Sequence, residues 1–351
     1  MEIRPQPALR PSRGRFVGTV RARARTTRPA PGANAIARHL VLAYRPGWQS
    51  IDDLGAVANH VRDIDPAIAT FIVPTTHRNG VTRRNAAERP TLVVSPGPMH
   101  VFRPLRGKVY QGWPIAKIEE VRRLEAAGVP VPRTAILTPD LRLDPADWGE
   151  FVIVKPTDLR TSSHGLGIQL MRTNRVHHIA PQDYPRGHPG RLGPMMVQQF
   201  IDTGERLTTY RVLTLFGEPL YAQLNVGDRR RVALEAPDAA IESANVALQA
   251  AEAREGRLVA DPDVIAMARA ADGALPEIPL KGCDLLRDAA TGKLYVIELN
   301  SGGNTWHFSS QFSQALRRVY GPGYELRRRR QFDAMRAAAR VLVDRTSAEA
   351  E

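Results

Sequence analysis

Apolar and polar positions alternate most sharply near the end of the chain, where two apolar runs at 283–287 and 293–299 flank a turn-forming stretch at 288–292. This pattern predicts a β-hairpin. A period of two in its second strand puts Tyr295, Ile297 and Leu299 on one face and Val296, Glu298 and Asn300 on the other. An antiparallel partner then brings Asp284 beside Glu298 and Asn300. Upstream, 39–44, 69–73 and 91–94 read as buried strands, and 52–63 has helical spacing with Leu54, Val57, Ala58 and Val61 on one face. Together they predict a small open α/β unit. An amphipathic helix is expected at 115–127, stopped by Gly128 and Pro130, with Lys117 in its first turn.

Strands follow at 133–137, 151–156, 168–172, 195–201, 208–215 and 220–226, the third of these runs after a polar, glycine-bearing loop. The Ala-rich segments 238–254 and 261–272 read as helices, the second starting at Asp261-Pro262. Residues 324–345 read as one Arg/Ala-rich terminal helix with a solvated basic face. Residues 1–33 have almost no apolar periodicity and are expected to be a disordered tail. That leader is Arg-rich and acid-poor like an organelle transit peptide, but its frequent Pro and scarce Ser favour a flexible tail or a misplaced start. No internal repeat is visible.

Composition changes this picture in three ways. At 351 residues the chain is long enough for two or three units with a real core, and 43% hydrophobic and 24% charged residues suit a globular protein. No apolar run is long enough to span a bilayer, so no membrane partner is expected. The single Cys283 excludes an intrachain disulfide and fits a reducing, cytoplasmic setting. The net charge of +13 raises a nucleic-acid hypothesis, yet eight arginines sit in residues 1–33 and another cluster at 327–330. The body is only mildly basic, and an anionic small molecule accounts for that equally well. His177, His178 and His188 match no tidy zinc spacing.

Candidate chemistry appears in a fixed order. A lysine opens a helix (Lys117), and a second ends a strand (Lys155). A Ser162-Ser-His-Gly-Leu-Gly167 loop follows, then Gln198-Gln199-Phe-Ile201 with Glu205 beyond, and last the Asp284…Glu298-x-Asn300 hairpin. Three oxygen ligands on neighbouring strands suit a hard cation. The alternative for the hairpin is a solvated polar face, but a carboxylate set among Val, Ile and Leu is costly to bury unpaired.

Taken together and in this order, these pieces resemble the ATP-grasp superfamily (glutathione synthetase, ribosomal-protein glutamate ligase and D-alanine–D-alanine ligase among its kinds), over about 115–312. The resemblance implies an α/β (α+β) protein: a pre-ATP-grasp α/β unit at 34–113, a small lobe at 114–197, a large lobe with the metal site at 198–312, and a basic C-terminal helix at 313–351. It implies that Lys117 and Lys155 neutralise nucleotide phosphates, and that Ser163, Gly165 and Gly167 belong to a loop closing over the triphosphate. Gln198, Gln199 and Ile201 would meet the adenine, and Glu205 the ribose. Asp284, Glu298 and Asn300 would hold two Mg2+ ions, with Mn2+ an acceptable substitute. Arg211 is the implied catalytic cation, and Lys281, or alternatively Arg229 to Arg231, could supply the second in place of an arginine on the 220–226 strand.

The implied activity is ATP-dependent ligation of a small-molecule or peptide carboxylate to an amine through an acyl phosphate. Two alternatives stand beside it: a phosphotransferase or non-catalytic nucleotide-binding module of the same fold, and a nucleic-acid-associated protein acting through its Arg-rich ends. Members of the glutathione-synthetase kind carry an arginine on the strand that here holds Gln223 and Asn225, so the substrate contacts are open. Segments 74–90, 174–194 and 227–237 are the expected pocket lining, and Arg83, Arg84, Arg186, Arg191 and Arg229 within them suggest an anionic substrate.

Overall fold

The computed structural model describes residues 35–76, 88–99, 106–157, 165–248, 253–303, 305–310 and 313–350. The tail at 1–33, Ser163, Arg83 and Arg84 lie outside them. Three sheets carry the chain, in a mixed α/β architecture.

The first sheet is parallel, in the order β2 (Ile68–Pro74), β1 (Arg38–Tyr44), β3 (Thr91–Ser95), β4 (Gly107–Gln111). Helix α1 (Ile51–Ile64) crosses over between β1 and β2. Its start is fixed by the Ser50 hydroxyl, which accepts from the Asp52 N–H at 3.1 Å, with two acids in the first turn. Leu54, Val57 and Val61 face the core as their spacing requires, while Ala58 is only half-buried. Strand β4 was not legible, because its Gly-Lys-Val-Tyr-Gln run alternates without a strong apolar face.

Helix α2 (Lys117–Ala126) follows, then an antiparallel sheet β5–β8–β6–β7, made of Thr134–Ile136, Met195–Gln199, Phe151–Pro156 and Gln169–Arg172. A short helix, α3 (Pro145–Trp148), sits between β5 and β6. The third sheet is antiparallel, in the order β11 (Ala253–Leu258), β10 (Glu218–Arg230), β9 (Arg206–Leu215), β12 (Leu280–Arg287), β13 (Leu294–Asn300). On one face of it, Val212, Ala222, Cys283, Leu285, Val296 and Leu299 pack with Val264, Ala268 and Ala271 of α5 (Pro262–Gly273) and with Leu124 of α2. The Asp261 carboxylate caps α5.

The expected helix at 238–254 is corrected. Among the described residues there only α4 (Asp238–Glu242) is helical, and 253–258 is an edge strand on β10. Gly256 disfavours helix, and β10 offers an unpaired edge. The single terminal helix is corrected as well, because the chain forms α6 (Ser313–Tyr320), α7 (Tyr324–Gln331) and α8 (Ala334–Glu349). Gly321-Pro322-Gly323 and a left-handed Asp333 (φ 50°, ψ 51°) break it. The basic face is not all solvated: Arg328 is fully buried, and Arg329 pairs with the buried Asp53 of α1. Helix α8 packs its alanines, Leu342 and Val343 into a core shared by α1, β1, β3 and the β9–β10 end of the large sheet. No helix among the described residues is long and apolar enough to cross a membrane.

Candidate active site

A cavity of about 610 Å3 opens between the two antiparallel sheets. Its floor is the face of the large sheet opposite α5. Alternation on β9 sends Tyr210 and Val212 to the α5 core and turns Thr209 and Arg211 to the cavity. The hairpin departs from strict alternation. Asp284 pairs with Glu298 but Leu285 pairs with Val296, so Ile297 is a bulge residue. Val296 and Leu299 therefore share the apolar core, and Ile297, Glu298 and Asn300 all line the cavity. The sequence reading that set Val296 on the face of Glu298 is corrected by that one residue, while Glu298, Asn300 and Asp284 do meet.

Acids and bases interlock here. Arg211 grips Asp284 with two guanidinium nitrogens, one of them at 2.6 Å, and Asn300 Nδ2 donates to Asp284 Oδ2 at 2.9 Å. Lys117, at the first position of α2, pairs with Glu298 and lies 4.0 Å from Glu120. Burial works against ionisation of Glu298, but Lys117, Lys155 and Arg211 hold its carboxyl below the usual range. Asp284 is lifted by burial in spite of Arg211. Lys155 ends β6 and donates to Gln198 Oε1 at 2.8 Å, and burial lowers its ammonium to about 8.

Glu120 is a member of this cluster that the sequence reading missed. It is 2% exposed, accepts from the Leu299 N–H at 2.7 Å, and burial pushes it to about 7. The signal was present, since 117, 120, 121 and 124 form one helical stripe and Glu120 stands where an apolar residue belongs.

Other expected residues fall as follows. Gly165 lines the cavity with φ +73°, and Gly167, also at +73°, lies close against Pro189. Gln198, Gln199 and Ile201 line the cavity. However, the Gln198 amide is committed to Lys155 and, through Nε2, to Thr134 Oγ1 at 2.9 Å, and the Gln199 N–H donates to the Arg133 carbonyl at 2.8 Å. Gln198 thus orients Lys155.

Two residues are not brought to the site. The Glu205 side chain is 76% exposed beside Arg230, outside the cavity, whereas Thr203 lines it. Lys281 is sealed on the α5 side, where its ammonium donates to the Leu275 and Ile278 carbonyls and pairs with Asp272 at 3.1 Å. It is a structural cation, because alternation on β12 points it away from Asp284. Neither 174–194 nor 227–237 contributes to the lining. His307, Ala315 and Leu316 from the C-terminal region do, together with Gln223 and Asn225.

The donor set suits a hard cation. Asp284, Glu298 and the amide oxygen of Asn300 supply oxygen alone, and among the described residues no group of three or more His, Cys, Asp or Glu is placed to hold a metal. Two carboxylates plus an amide leave coordination positions for phosphate oxygens and water, as Mg2+ prefers.

No protein-family model matches the sequence, and no curated protein does. Among solved structures the chain is similar to the D-cycloserine synthetase DcsG, at 17% identity over 87% of this chain and 99% of that one, with a TM-score of 0.44. It is similar to the ATP-grasp ligase PsnB complexed with minimal precursor, Mg and ADP, at 14% identity, 88% and 98% coverage and a TM-score of 0.45. It is also similar to a D-alanine–D-alanine ligase from Bacillus anthracis complexed with ATP, at 11% identity, 90% and 98% coverage and a TM-score of 0.42.

Proposed function

We propose that this chain is an ATP-dependent carboxylate–amine ligase of the ATP-grasp kind. One observation carries the reading: a single cavity joins Lys117, Lys155 and Arg211 to the oxygen donors Asp284, Glu298 and Asn300, with Gly165 at its edge. Without ligand, every acid there is matched to a base. A magnesium nucleotide would exchange these partners, the carboxylates going to the metal and the ammonium groups to the phosphates. Mg2+, held by Asp284, Glu298 and Asn300, would supply charge neutralisation across the phosphate oxygens.

In the reaction a substrate carboxylate oxygen attacks the γ-phosphorus, the bond to the bridging oxygen breaks, and ADP leaves with the electron pair. An amine nitrogen then attacks the acyl carbon. Phosphate leaves, and the nitrogen releases a proton to it or to water. The protein needs no covalent nucleophile. Lys155, held by Gln198, and Lys117, held at a helix start, fix the phosphates, and Arg211 lies next to the path of the transferring group.

The test is calorimetry of ATP binding with and without Mg2+, then ADP release against amino acids and dicarboxylic acids. Wild type is expected to bind only with Mg2+, and Glu298→Ala to bind at least about tenfold more weakly, about 1.4 kcal/mol. ADP release stimulated by an acid together with an amine selects the ligase. Binding without stimulated release selects a nucleotide-binding module, and no binding refutes the reading.

A further inference from the structure

The nucleotide reading leaves one side of the cavity unused. Across the floor, β13 and β12 carry the acids, β9 carries Arg211, and β10 carries Gln223 and Asn225. Gln223 stands directly opposite Arg211 in the β9–β10 register, and Asn225 opposite Thr209. Strand spacing of about 4.8 Å sets β10 two strands, roughly 10 Å, from β12.

The amide orientations are fixed from behind. Gln223 Oε1 accepts from Arg328 Nη2 and from the Tyr324 hydroxyl at 3.2 Å. Asn225 Oδ1 accepts from the Tyr320 hydroxyl and from Gln223 Nε2 at 3.2 Å. Turning the Gln223 amide over would set N–H groups against the guanidinium donors, so its oxygen must face the wall. Both amide oxygens are consumed there. Each amide nitrogen has one partner, Asn225 Oδ1 for Gln223 and Thr209 Oγ1 at 3.4 Å for Asn225, which leaves each a second N–H, and both residues line the cavity. The absence of a side chain at Gly256, opposite Asn225, admits the Tyr320 ring, which a Cβ there would meet at 2.3 Å.

The wall is also positively charged. Arg328 is fully buried, with its guanidinium 4.0 Å from the centres of both the Tyr221 and Tyr324 rings. Its hydrogen bonds go to Gln223 and to the His307 carbonyl at 3.0 Å, its Nε has none, and no carboxylate pairs with it among the described residues. Ring faces offset only part of the cost of burying that charge. His307 adds none, since burial, with Arg328 and Arg211 nearby, holds its ring well below the ordinary value. A buried guanidinium, Arg328, and a part-buried one, Arg211, thus flank a pair of N–H donors, and among the described residues only Arg211 is paired with an acid.

We infer that Gln223 and Asn225 form the subsite that takes the substrate's carboxylate, with Arg328 as a positioning residue that orients the Gln223 amide and supplies an uncompensated positive field. This rests on the ligase reading for its place in a reaction, but the subsite is a binding claim of its own. A carboxylate accepts from both amides and lies beside Arg211, facing the phosphate side of the cavity.

Saturation-transfer NMR on the full chain, with and without MgADP, would use acetate, succinate, L-alanine and L-glutamate as probes. Wild type is expected to bind at least one of them. Asn225→Asp and Gln223→Glu, which keep the shape but replace N–H donors by a repelling carboxylate, should weaken it about tenfold or more. Arg328→Lys should retain part of the binding and Arg328→Met should lose it, whereas a merely structural role would leave both alike in every folded sample. Unchanged affinity in the two acidic variants overturns the subsite, and so does failure of all four probes on wild type. MgADP binding, read separately by calorimetry, decides the nucleotide site independently of either result.

Discussion

Lys155 in the ligand-free protein loses its proton at about pH 8, against about 10.5 for an ordinary lysine, because burial penalises its charge. At about pH 8.5 most of it is therefore neutral, and phosphate charge arriving beside it restores the ammonium. Nucleotide binding is expected to take up the larger part of one proton at that pH and to weaken as pH rises further. Calorimetry in two buffers of different ionisation enthalpy measures the uptake, and Lys155→Met should abolish it. Uptake near zero in wild type would mean that Lys155 does not meet the phosphates. Single residues were legible where a charge interrupts an apolar pattern: Lys155 closes an apolar strand, and Glu298 sits between Ile297 and Leu299. Lys281 satisfies the same criterion and is structural, because the partners that claim it, Asp272 and two carbonyls, come from a neighbouring helix and the turn after it.

Whole elements were legible when length, period and punctuation agreed. Helix α1 with its apolar stripe, helix α5 with Asp261-Pro262, and the hairpin around Gly292 are of that kind. The bulge at Ile297 is not, since the extra residue depends on how β13 pairs with β12. The terminal helices failed for a related reason. Arginine was read as solvent-facing, but Arg328 is held by aromatic rings of β10 and α7, partners a one-dimensional pattern does not reveal. The break before α8 is testable. Asp333 is exposed and left-handed at φ 50°, so Asp333→Gly removes Cβ strain and is expected to stabilise the protein by about 0.5 kcal/mol, read as a higher denaturant midpoint. A lower midpoint would show that the Asp333 side chain stabilises the turn.

For the molecule as a whole, the core shared by α8, α1, β1, β3 and the end of β9–β10 ties the parallel sheet to the large sheet. Trp306 lies in that core, its indole N–H donating to Asp53 at 2.8 Å. Leu342 on α8 is 2% exposed, and Leu342→Ala is expected to cost about 2–5 kcal/mol. Far-UV circular dichroism and tryptophan fluorescence should then shift together in one transition, because the two sheets share the core that is damaged. Two separated transitions would show that the parallel sheet unfolds by itself. Such tying could not be read from the sequence, where 334–349 is remote from 38–64 and its alanines mark no partner.

Helix α8 is also made well after the sheet that it covers. While the intervening residues are being synthesised, at roughly 5–20 residues per second, the apolar surface of α1 and β1 that α8 will cover waits without its lid. A nascent chain of this protein is thus expected to lean on chaperones until α8 has emerged, and a message stopped before α8 delivers an open apolar face to the quality-control proteases instead of a partly working domain.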